Sequence, residues 1–482
     1  MRRRTTPTAL TALGAAALLV PLALVDGASA ADDEGPSRAP RPEKTHETFL
    51  SRPGLAAEAP ALSTIRTGKE DPRPLLTTPG TTAQGGIGIY DNSGQLIYWK
   101  DGKYADLKAA TYKGKPVLSV FTATSENDGK YVLLDSSYQQ VAEFAVKGYT
   151  TDPHDFQISP DGKRVLLLSY HPVKKDLSEY GGPKDATVTD AVVQEQDIET
   201  GEVTFEWSAL DHIPLTETQV RLDEKDVDYV HFNSLAYEKD GTLLASARHS
   251  STVYKIDTAD GKIKWRLGGE NSDFALPSLG DAFSFQHDAR RLKDAPPGPG
   301  GPGGAPRISV FDNGNLANPQ RSRGAVYTLD EAAKKATLTR DLQPDPPQYG
   351  SYVGSSNEMA NGNQLVSYGN TGEIAEFQGE APVWAGAFPE NYLTYRAQRA
   401  DWKGTPSSKP SAVLRGDRVA MSWNGSTEVR RWRVVAGGKT VKEVERMGFE
   451  TRTTVPEGTK KVRVVAVDAK GEELRARTVT RH

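Results

Sequence analysis

The chain has 482 residues, including 45 Gly and 31 Pro, and its formal net charge at pH 7 is −4. This length accommodates one large domain with an accessory module, and the small net charge gives no broad electrostatic basis for binding nucleic acid. There are no cysteines, which excludes disulfides, thiolate metal ligands, a cysteine nucleophile and a lipoprotein anchor.

The N-terminus has the pattern of an export signal over residues 1–30. Three arginines at positions 2–4 precede an apolar run from 9 to 25, and Ala28-Ser29-Ala30 has the small-x-small form of a cleavage site. The pattern predicts a secreted or cell-envelope protein without a stable membrane anchor after cleavage, exported by the general or the twin-arginine route. Residues 31–79 are polar and rich in Pro, Ala and Glu, which predicts a segment of low order.

Two kinds of hairpin alternate between residues 80 and 405. One kind has an Asp-Gly or Asn-Gly turn before a strand rich in Leu and Val, at residues 158–168, 237–244 and 359–366. The other has a Gly turn before a strand that commonly ends in an aromatic residue, at residues 91–99, 198–207, 257–265 and 370–377. Two hairpins make four strands per unit, which predicts a β-propeller of about six blades. We expect the aromatic strand ends to pack the blades, at Trp99, Trp207 and Trp265.

Residues 410–482 differ in character from the repeats before them. Short segments with period-2 alternation predict about seven strands, among them residues 419–423, 429–435, 450–455 and 461–467. This pattern is typical of a fibronectin/Ig-like β-sandwich. The predicted fold is therefore all-β, a propeller followed by a sandwich, with the Gly/Pro-rich run 296–304 as a surface loop.

Three of the eight histidines open short polar motifs at the entrances of predicted strands. They are His154, His231 and His287, in the motifs Asp152-Pro-His-Asp-Phe, Val230-His-Phe-Asn-Ser and Phe285-Gln-His-Asp-Ala. The inner strands of propeller blades point their ends at one central channel, so these rings are expected to converge. The hairpin that follows His231 should also bring Arg248 to the same space. A three-histidine metal site is possible by ligand type, but Arg248 would repel a cation, so no metal is expected.

We do not expect the other internal histidines, or the aspartates that follow two of the motif histidines, to take part in the chemistry. His249 adjoins the arginine and is expected to point away from it, and His171 and His212 are expected in connecting loops. Asp155 and Asp288 directly follow two of the histidines. Because adjacent residues of a strand point to opposite faces, we do not expect these carboxylates to be imidazole partners.

Together the motifs resemble the PAPS-independent arylsulfotransferase family of bacteria over residues 85–400. The most specific parts are His231-Phe-Asn-Ser, Ala247-Arg-His and Gln286-His287. The resemblance implies transfer of a sulfuryl group from a phenolic sulfate ester to a phenolic acceptor, without a nucleotide donor or other cofactor. It also implies that His287 is transiently sulfurylated, that His154, His231 and Arg248 surround the sulfuryl group, and that Asn233 makes a polar contact with substrate.

Residue chemistry is consistent with that activity. A neutral histidine is a suitable nucleophile, a second histidine can protonate the leaving phenolate, and an arginine fork suits sulfuryl oxygens. The absence of cysteines and the 39 positions between Arg248 and His287 point to a divergent, secreted branch, in which activity can be altered or lost. Hydrolysis in place of transfer stays open, and the alternative is a noncatalytic extracellular propeller that binds glycans or proteins.

Overall fold

The computed structural model of the protein describes residues 38–55, 59–82, 85–125, 128–294 and 304–481. The predicted export signal and residues 296–303 of the Gly/Pro-rich run lie outside the described residues. Within these ranges no helix is long and apolar enough to cross a membrane. The helical segments described are single 3₁₀ turns at Ser178–Tyr180, Ala209–Asp211, Leu215–Glu217, Leu279–Asp281 and Gly369–Thr371.

Six sheets follow one another along the first four-fifths of the chain. A short strand, β1 (Ser63–Arg66), comes first and joins the last of them. The first three sheets contain β2 (Leu75–Gly80), β3 (Gly86–Tyr90) and β4 (Leu96–Asp101), then β5 (Tyr104–Tyr112), β6 (Lys115–Ala123), β7 (Gly129–Leu134) and β8 (Gln140–Phe144), then β9 (Phe156–Ile158), β10 (Arg164–Lys175), β11 (Ala186–Asp197) and β12 (Val203–Ser208), with β13 (Asp226–Asp228) parallel to β11.

The next three sheets repeat the four-stranded antiparallel order. They contain β14 (Phe232–Tyr237), β15 (Thr242–Ala247), β16 (Thr252–Asp257) and β17 (Ile263–Gly268), then β18 (His287–Arg291), β19 (Arg307–Asp312), β20 (Arg323–Asp330) and β21 (Lys335–Leu342), then β22 (Ser355–Glu358), β23 (Gln364–Ser367), β24 (Glu373–Gln378) and β25 (Ala381–Ala387). The strand that follows, β26 (Leu393–Arg399), pairs with β2 and so completes the first sheet.

The first strands of the sheets contact one another in a closed cycle. Strand β26 contacts β5, and the contacts continue through β9, β14, β18 and β22 back to β26. Each first strand therefore faces a shared interior, and its N-terminal end lies at one rim of that interior. The predicted all-β class is confirmed, and the arrangement of successive antiparallel sheets is propeller-like.

Apolar side chains fill the space between neighbouring sheets. Trp207 of the third sheet stacks on Phe232 of the fourth with ring centroids 6.0 Å apart, and Trp265 of the fourth lies in one buried cluster with Val310 of the fifth. Trp99 is likewise buried in a cluster. The predicted packing role of these tryptophans is confirmed.

Three expectations about local structure differ from what is observed. Residues 63–66 and 75–80 form strands within the segment predicted to have low order, because Leu75 and Leu76 are fully buried. His171 lies within the long strand β10 and pairs with Asp190, not in a loop, whereas His212 does follow a 3₁₀ turn. The turn at residues 359–366 joins β22 to β23 and the Gly turn at 370–377 joins β23 to β24, so these two turns share a strand and do not form the two separate hairpins that the predicted alternation requires.

Residues 411–480 form two further sheets from seven strands. They are β27 (Ser411–Arg415), β28 (Arg418–Ser422) and β31 (Glu450–Thr454) in one, and β29 (Arg431–Ala436), β30 (Lys439–Glu445), β32 (Lys461–Val467) and β33 (Glu473–Thr480) in the other. Met421 of the first sheet and Trp432 of the second share one buried cluster. The unit contacts the first propeller-like sheet at Trp99. The Trp99 N–H donates to Oδ1 of Asn424, and the Asn424 amide nitrogen donates to the Trp99 carbonyl.

Candidate active site

The hairpin of β14 and β15 sets the position of two site residues. Its open end is closed by hydrogen bonds from the Arg248 N–H to the His231 carbonyl and from the His249 N–H to the Val230 carbonyl, both 3.0 Å. At the other end only Gly241 of the turn has a positive φ, so this Asp-Gly turn is not a two-residue type I′ turn, which needs two such residues. The predicted neighbourhood of His231 and Arg248 is nevertheless present.

His231 occupies a strained backbone conformation just before β14. Its φ is 53°, in the left-handed region that costs a residue with a Cβ about 1–3 kcal/mol. The ring is held by Asp228, whose carboxylate accepts a hydrogen bond from Nδ1. Strain of this kind persists where surrounding contacts fix it, and it is common at functional sites.

Four imidazole rings gather at this rim of the interior. The ring centroids of His154 and His231 are 4.9 Å apart, and those of His231 and His249 are 4.8 Å apart. Tyr395 from β26 lies between His154 and His287, with centroid distances of 5.6 Å and 6.1 Å. The structure therefore brings together all three histidines that the sequence singled out, and it adds His249.

The tautomer of His287 follows from its hydrogen bonds. Its Nδ1 lies 2.7 Å from Oδ1 of Asn313, whose amide nitrogen donates to the carbonyls of Gly350 (2.6 Å) and Val353 (3.0 Å). Because the Asn313 nitrogen is committed as a donor, Oδ1 must accept, and Nδ1 of His287 carries the proton. The lone pair of the neutral ring is therefore on Nε2.

The surroundings of His287 keep it neutral. The residue is 1 % exposed, and burial, followed by the charge of Arg248, lowers its pKa well below the ordinary value despite the hydrogen bond to Asn313. A neutral imidazole is the nucleophilic form. His287 therefore has the protonation state of a nucleophile at any near-neutral pH.

His154 and His231 have a different partner, a carboxylate. Nδ1 of His154 lies 2.7 Å from Oδ1 of Asp152, and Nδ1 of His231 bonds Oδ2 of Asp228. Burial opposes ionisation of Asp228, but the charge and hydrogen bond of His231 outweigh it and the Asp228 pKa is lowered. A carboxylate at Nδ1 stabilises the imidazolium, which can give a proton from Nε2.

Arg248 is held from several sides and keeps free donors. Its Nη1 lies 2.7 Å from Nε2 of His249, its Nη2 donates to the Ser351 carbonyl at 3.0 Å, and the guanidinium stacks 4.8 Å above the Phe285 ring. Its buried Nε has no hydrogen-bond partner among the described residues. A fixed guanidinium with an unpaired buried N–H is prepared to receive an anion.

The expectation that His249 points away from Arg248 is wrong. Both residues lie in the turn after β15, where the strict alternation of a strand does not apply. Burial, followed by the neighbouring His231, lowers the pKa of His249 to about 3. The ring is therefore neutral, and because Nδ1 bonds the Asp228 carbonyl, its Nε2 accepts from the guanidinium.

Ligand atoms of Asp228, His231 and His249 lie within 4.8 Å of one another, as in a possible cation site. The Arg248 guanidinium, however, occupies the Nε2 side of His249 at 2.7 Å. A cation bound there would have to displace the Arg248 guanidinium from Nε2 of His249, and it would still be repelled by that guanidinium nearby. The arrangement suits a guanidinium that recruits an anion better than it suits a metal ion.

Asp155 and Asp288 turn away from their histidines to a buried arginine beneath the site. The Nε of Arg396 donates to Oδ1 of Asp288 at 3.0 Å, and Nη1 bonds the carboxylate of Asp106 and the His154 carbonyl, while lying 3.5 Å from Asp155. As expected, neither carboxylate that follows a histidine bonds an imidazole. Arg396 ties the backbone of His154 to the strand that starts at His287.

Asn233 is fully buried within this network. Its amide nitrogen donates to the Gln286 carbonyl at 2.8 Å, and its own carbonyl accepts from the Tyr395 hydroxyl at 2.7 Å. Its Oδ1 has no hydrogen-bond partner among the described residues. That atom is an acceptor, which suits a hydroxyl better than a sulfuryl oxygen, and the predicted substrate contact stays a prediction.

Comparison with solved structures finds low similarity. A protein of unknown function from Bacteroides caccae is 13 % identical and has a TM-score of 0.27 over 85 % of this chain and 94 % of that one. The β-propeller domain of Myceliophteria thermophila Cps50 (Swd1) is 12 % identical, and its TM-score is 0.35 over 75 % of this chain and 94 % of that one. Virginiamycin B lyase from Staphylococcus aureus is 10 % identical, and its TM-score is 0.30 over 75 % of this chain and 94 % of that one. These TM-scores carry no functional information.

Comparison with curated proteins finds no match. A family model described as Arylsulfotransferase (ASST), in contrast, matches residues 108–386. The matched segment contains the four residues of the site, His154, His231, Arg248 and His287. Because the match spans more than half of the 482 residues, the chain belongs to the arylsulfotransferase (ASST) family.

Proposed function

We propose that the protein is a PAPS-independent arylsulfotransferase that moves a sulfuryl group from a phenolic sulfate ester to a phenolic acceptor through a sulfohistidine at His287. Family membership supports sulfuryl transfer in general. The observation that carries the finer assignment is the contrast between the histidines. His287 has a neutral amide at Nδ1 and a lowered pKa, whereas His154 and His231 each have a carboxylate there.

In the first step the Nε2 lone pair of His287 attacks sulfur, and the bond from sulfur to the aryl oxygen breaks. The phenolate oxygen takes a proton from the imidazolium of His231 or His154, which becomes neutral. The nitrogen–sulfur bond now holds the sulfuryl group on His287. Arg248 supports this step, because its unpaired Nε–H and remaining Nη protons can bind the sulfuryl oxygens as charge redistributes over them.

The second step returns the enzyme to its starting state. The acceptor phenol gives its proton to the histidine that protonated the first product, and its oxygen attacks sulfur. The nitrogen–sulfur bond breaks, and its electron pair returns to Nε2 of His287. No nucleotide or metal takes part, and the Asn313 bond to Nδ1 keeps the ring in the same tautomer through both steps.

The fold and location form part of the same proposal. We propose that the six sheets are six blades of one propeller, which the pairing of β26 with β2 and the closed cycle of first strands support. We propose that residues 411–480 form a sandwich, since two sheets share one core. The N-terminal arginines, apolar run and Ala-Ser-Ala motif support secretion.

The test is steady-state release of p-nitrophenol from p-nitrophenyl sulfate, with and without added phenol. Wild type should release p-nitrophenol, and phenol should accelerate release because it removes the sulfuryl group faster than water does. His287→Gln should be inactive. His212 lies outside the site, where its ring stacks on Trp207, so His212→Gln should retain full activity. Undiminished release of p-nitrophenol by His287→Gln would overturn the assignment of His287 as the nucleophile. An inactive wild-type protein would favour the noncatalytic alternative.

A further inference from the structure

The C-terminal unit carries a charge opposite to that of the whole chain. Residues 411–482 contain 16 Lys or Arg and 9 Asp or Glu, a net charge of +7, although the whole chain has −4. A one-sided charge distribution of this kind indicates an anionic partner for the basic part. The unit contains none of the histidines and arginine of the site described above, so its charged residues are separate from that site.

Three of these basic residues lie together on the outer face of the sheet β27-β28-β31. Arg415 pairs directly with Arg418 across β27 and β28, Val413 pairs with Ala420, and Ala420 pairs with Arg452 of β31. Cross-strand partners share a face, and so do residues two apart in a strand. The three arginines therefore share one face of the sheet with Val413 and with Ala420, which is 3 % exposed.

This surface keeps uncompensated charge. Like charges directly opposite each other on neighbouring strands destabilise a sheet, and neither Arg415 nor Arg418 has an ion pair with another described residue. Arg452 bonds Glu450 at 2.7 Å, and that carboxylate also accepts from the Ser51 N–H at 2.6 Å. Arg452 therefore has an acidic partner, whereas the opposed pair Arg415 and Arg418 has none among the described residues, and an added anion would relieve the repulsion between these two guanidiniums.

A groove with an apolar floor lies between the arginines. It has a volume of about 650 Å³, and Leu50, Val413 and Ala420 line it together with the three arginines. Leu50, from the segment that precedes β1, is 39 % exposed. Ligand sites commonly have such a volume and combine an apolar lining with a few placed polar groups.

We propose that this groove binds an amphiphilic organic anion, a molecule that joins an apolar chain or ring to a phosphate or sulfate group. The anionic group lies between Arg415 and Arg418, which offer fork-shaped donors to its oxygens. The apolar part lies on Leu50, Val413 and Ala420. The proposal is independent of the sulfuryl-transfer site, because it involves none of its residues.

The test uses the full mature protein and two probes that separate the possible sources of the ligand. One probe is vesicles of phosphatidylglycerol in phosphatidylcholine, measured by co-sedimentation, and the other is octyl sulfate below its micellar concentration, measured by titration calorimetry. Binding to vesicles alone identifies a membrane lipid as the source, and binding to octyl sulfate identifies a soluble amphiphile. Either result supports the groove, provided that Arg415→Gln/Arg418→Gln weakens binding at least ten-fold.

Matched variants distinguish the groove from general charge. Lys439→Gln/Lys442→Gln removes the same charge from exposed positions of β30 and should change the affinity less than two-fold. Leu50→Ser keeps every charge and should weaken binding at least three-fold. Absence of binding to both probes, equal losses in the two double variants, or equal affinity for inorganic sulfate would overturn the proposal. All four substituted charges are exposed, so the variants should fold.

Discussion

Substitution of Arg248 by lysine tests the geometry of the anion site while keeping its charge. The guanidinium spends one N–H of Nη1 on His249 and one N–H of Nη2 on the Ser351 carbonyl, and Nε is unpaired among the described residues. Three N–H groups therefore remain for sulfuryl oxygens. A lysine ammonium has three donors on one atom, and two of them would be used by the same partners.

The expected loss follows from this donor count. Lysine retains at most one donor for the sulfuryl group, so at least one fixed donor to the transition state disappears. Removal of one such donor typically costs about 10²–10³ in kcat. Because Arg248→Lys also loses the contact of the guanidinium with the Phe285 ring, we expect kcat/KM for p-nitrophenyl sulfate to fall by about 10²–10⁴.

The assay is the rate of p-nitrophenol release at saturating acceptor, with Arg221→Lys, an exposed arginine, as the matched control. The thermal unfolding midpoint of each variant checks that folding is unaffected. Arg221→Lys should match wild type. A fall of less than ten-fold in Arg248→Lys would refute the role of the guanidinium fork, because it would mean that charge alone suffices.

Three further substitutions probe the partners of the site. Asp228→Asn removes the carboxylate from His231, so phenyl sulfates with poor leaving groups should slow more than p-nitrophenyl sulfate, and equal slowing would contradict protonation of the leaving group by His231. His249→Gln removes a group whose native pKa of about 3 lies below its unfolded value of about 6.5. Wild-type stability is therefore lost as pH falls below 6.5, by about 1.4 kcal/mol per pH unit more than in the variant, and parallel urea midpoints from pH 7 to 5 would contradict this. Arg396→Met removes one of the two cations of each buried carboxylate, Asp106 and Asp288, and leaves them Lys108 and Arg290. It should cost about 3–5 kcal/mol of unfolding free energy, whereas an unchanged urea midpoint would show that the network is dispensable.

Much of the strand pattern could be predicted because period-2 alternation and Gly turns are local signals. The turns at residues 158–168 and 237–244 join the first two strands of their sheets, as two hairpins per sheet require. His171 was expected in a loop but lies in β10, directly before Pro172, a residue that is rare in central strands. In the structure β9 pairs with β10 only over Val165 to Leu167, so one edge of β10 is open farther along, where a missing N–H is tolerated.

The site histidines could be predicted because they stand in polar motifs at strand entrances. Their hydrogen-bond partners could not be predicted where they come from other segments of the chain. Asp228 could have been found, since it stands three positions before His231 in the same segment. Asn313 gives no signal, because it meets His287 only through the pairing of β18 and β19. His249 was missed because a turn, unlike a strand, can place two consecutive side chains on the same side.

The most direct measurement is the mass of the protein after rapid mixing with p-nitrophenyl sulfate in the absence of acceptor, followed by peptide mapping. We expect one added sulfuryl group on the peptide that contains His287, bound through nitrogen and lost when phenol is added. His287→Gln should show no adduct, and His212→Gln should show the same adduct as wild type. A sulfuryl group on another residue, or turnover without any adduct on His287, would contradict the proposed mechanism.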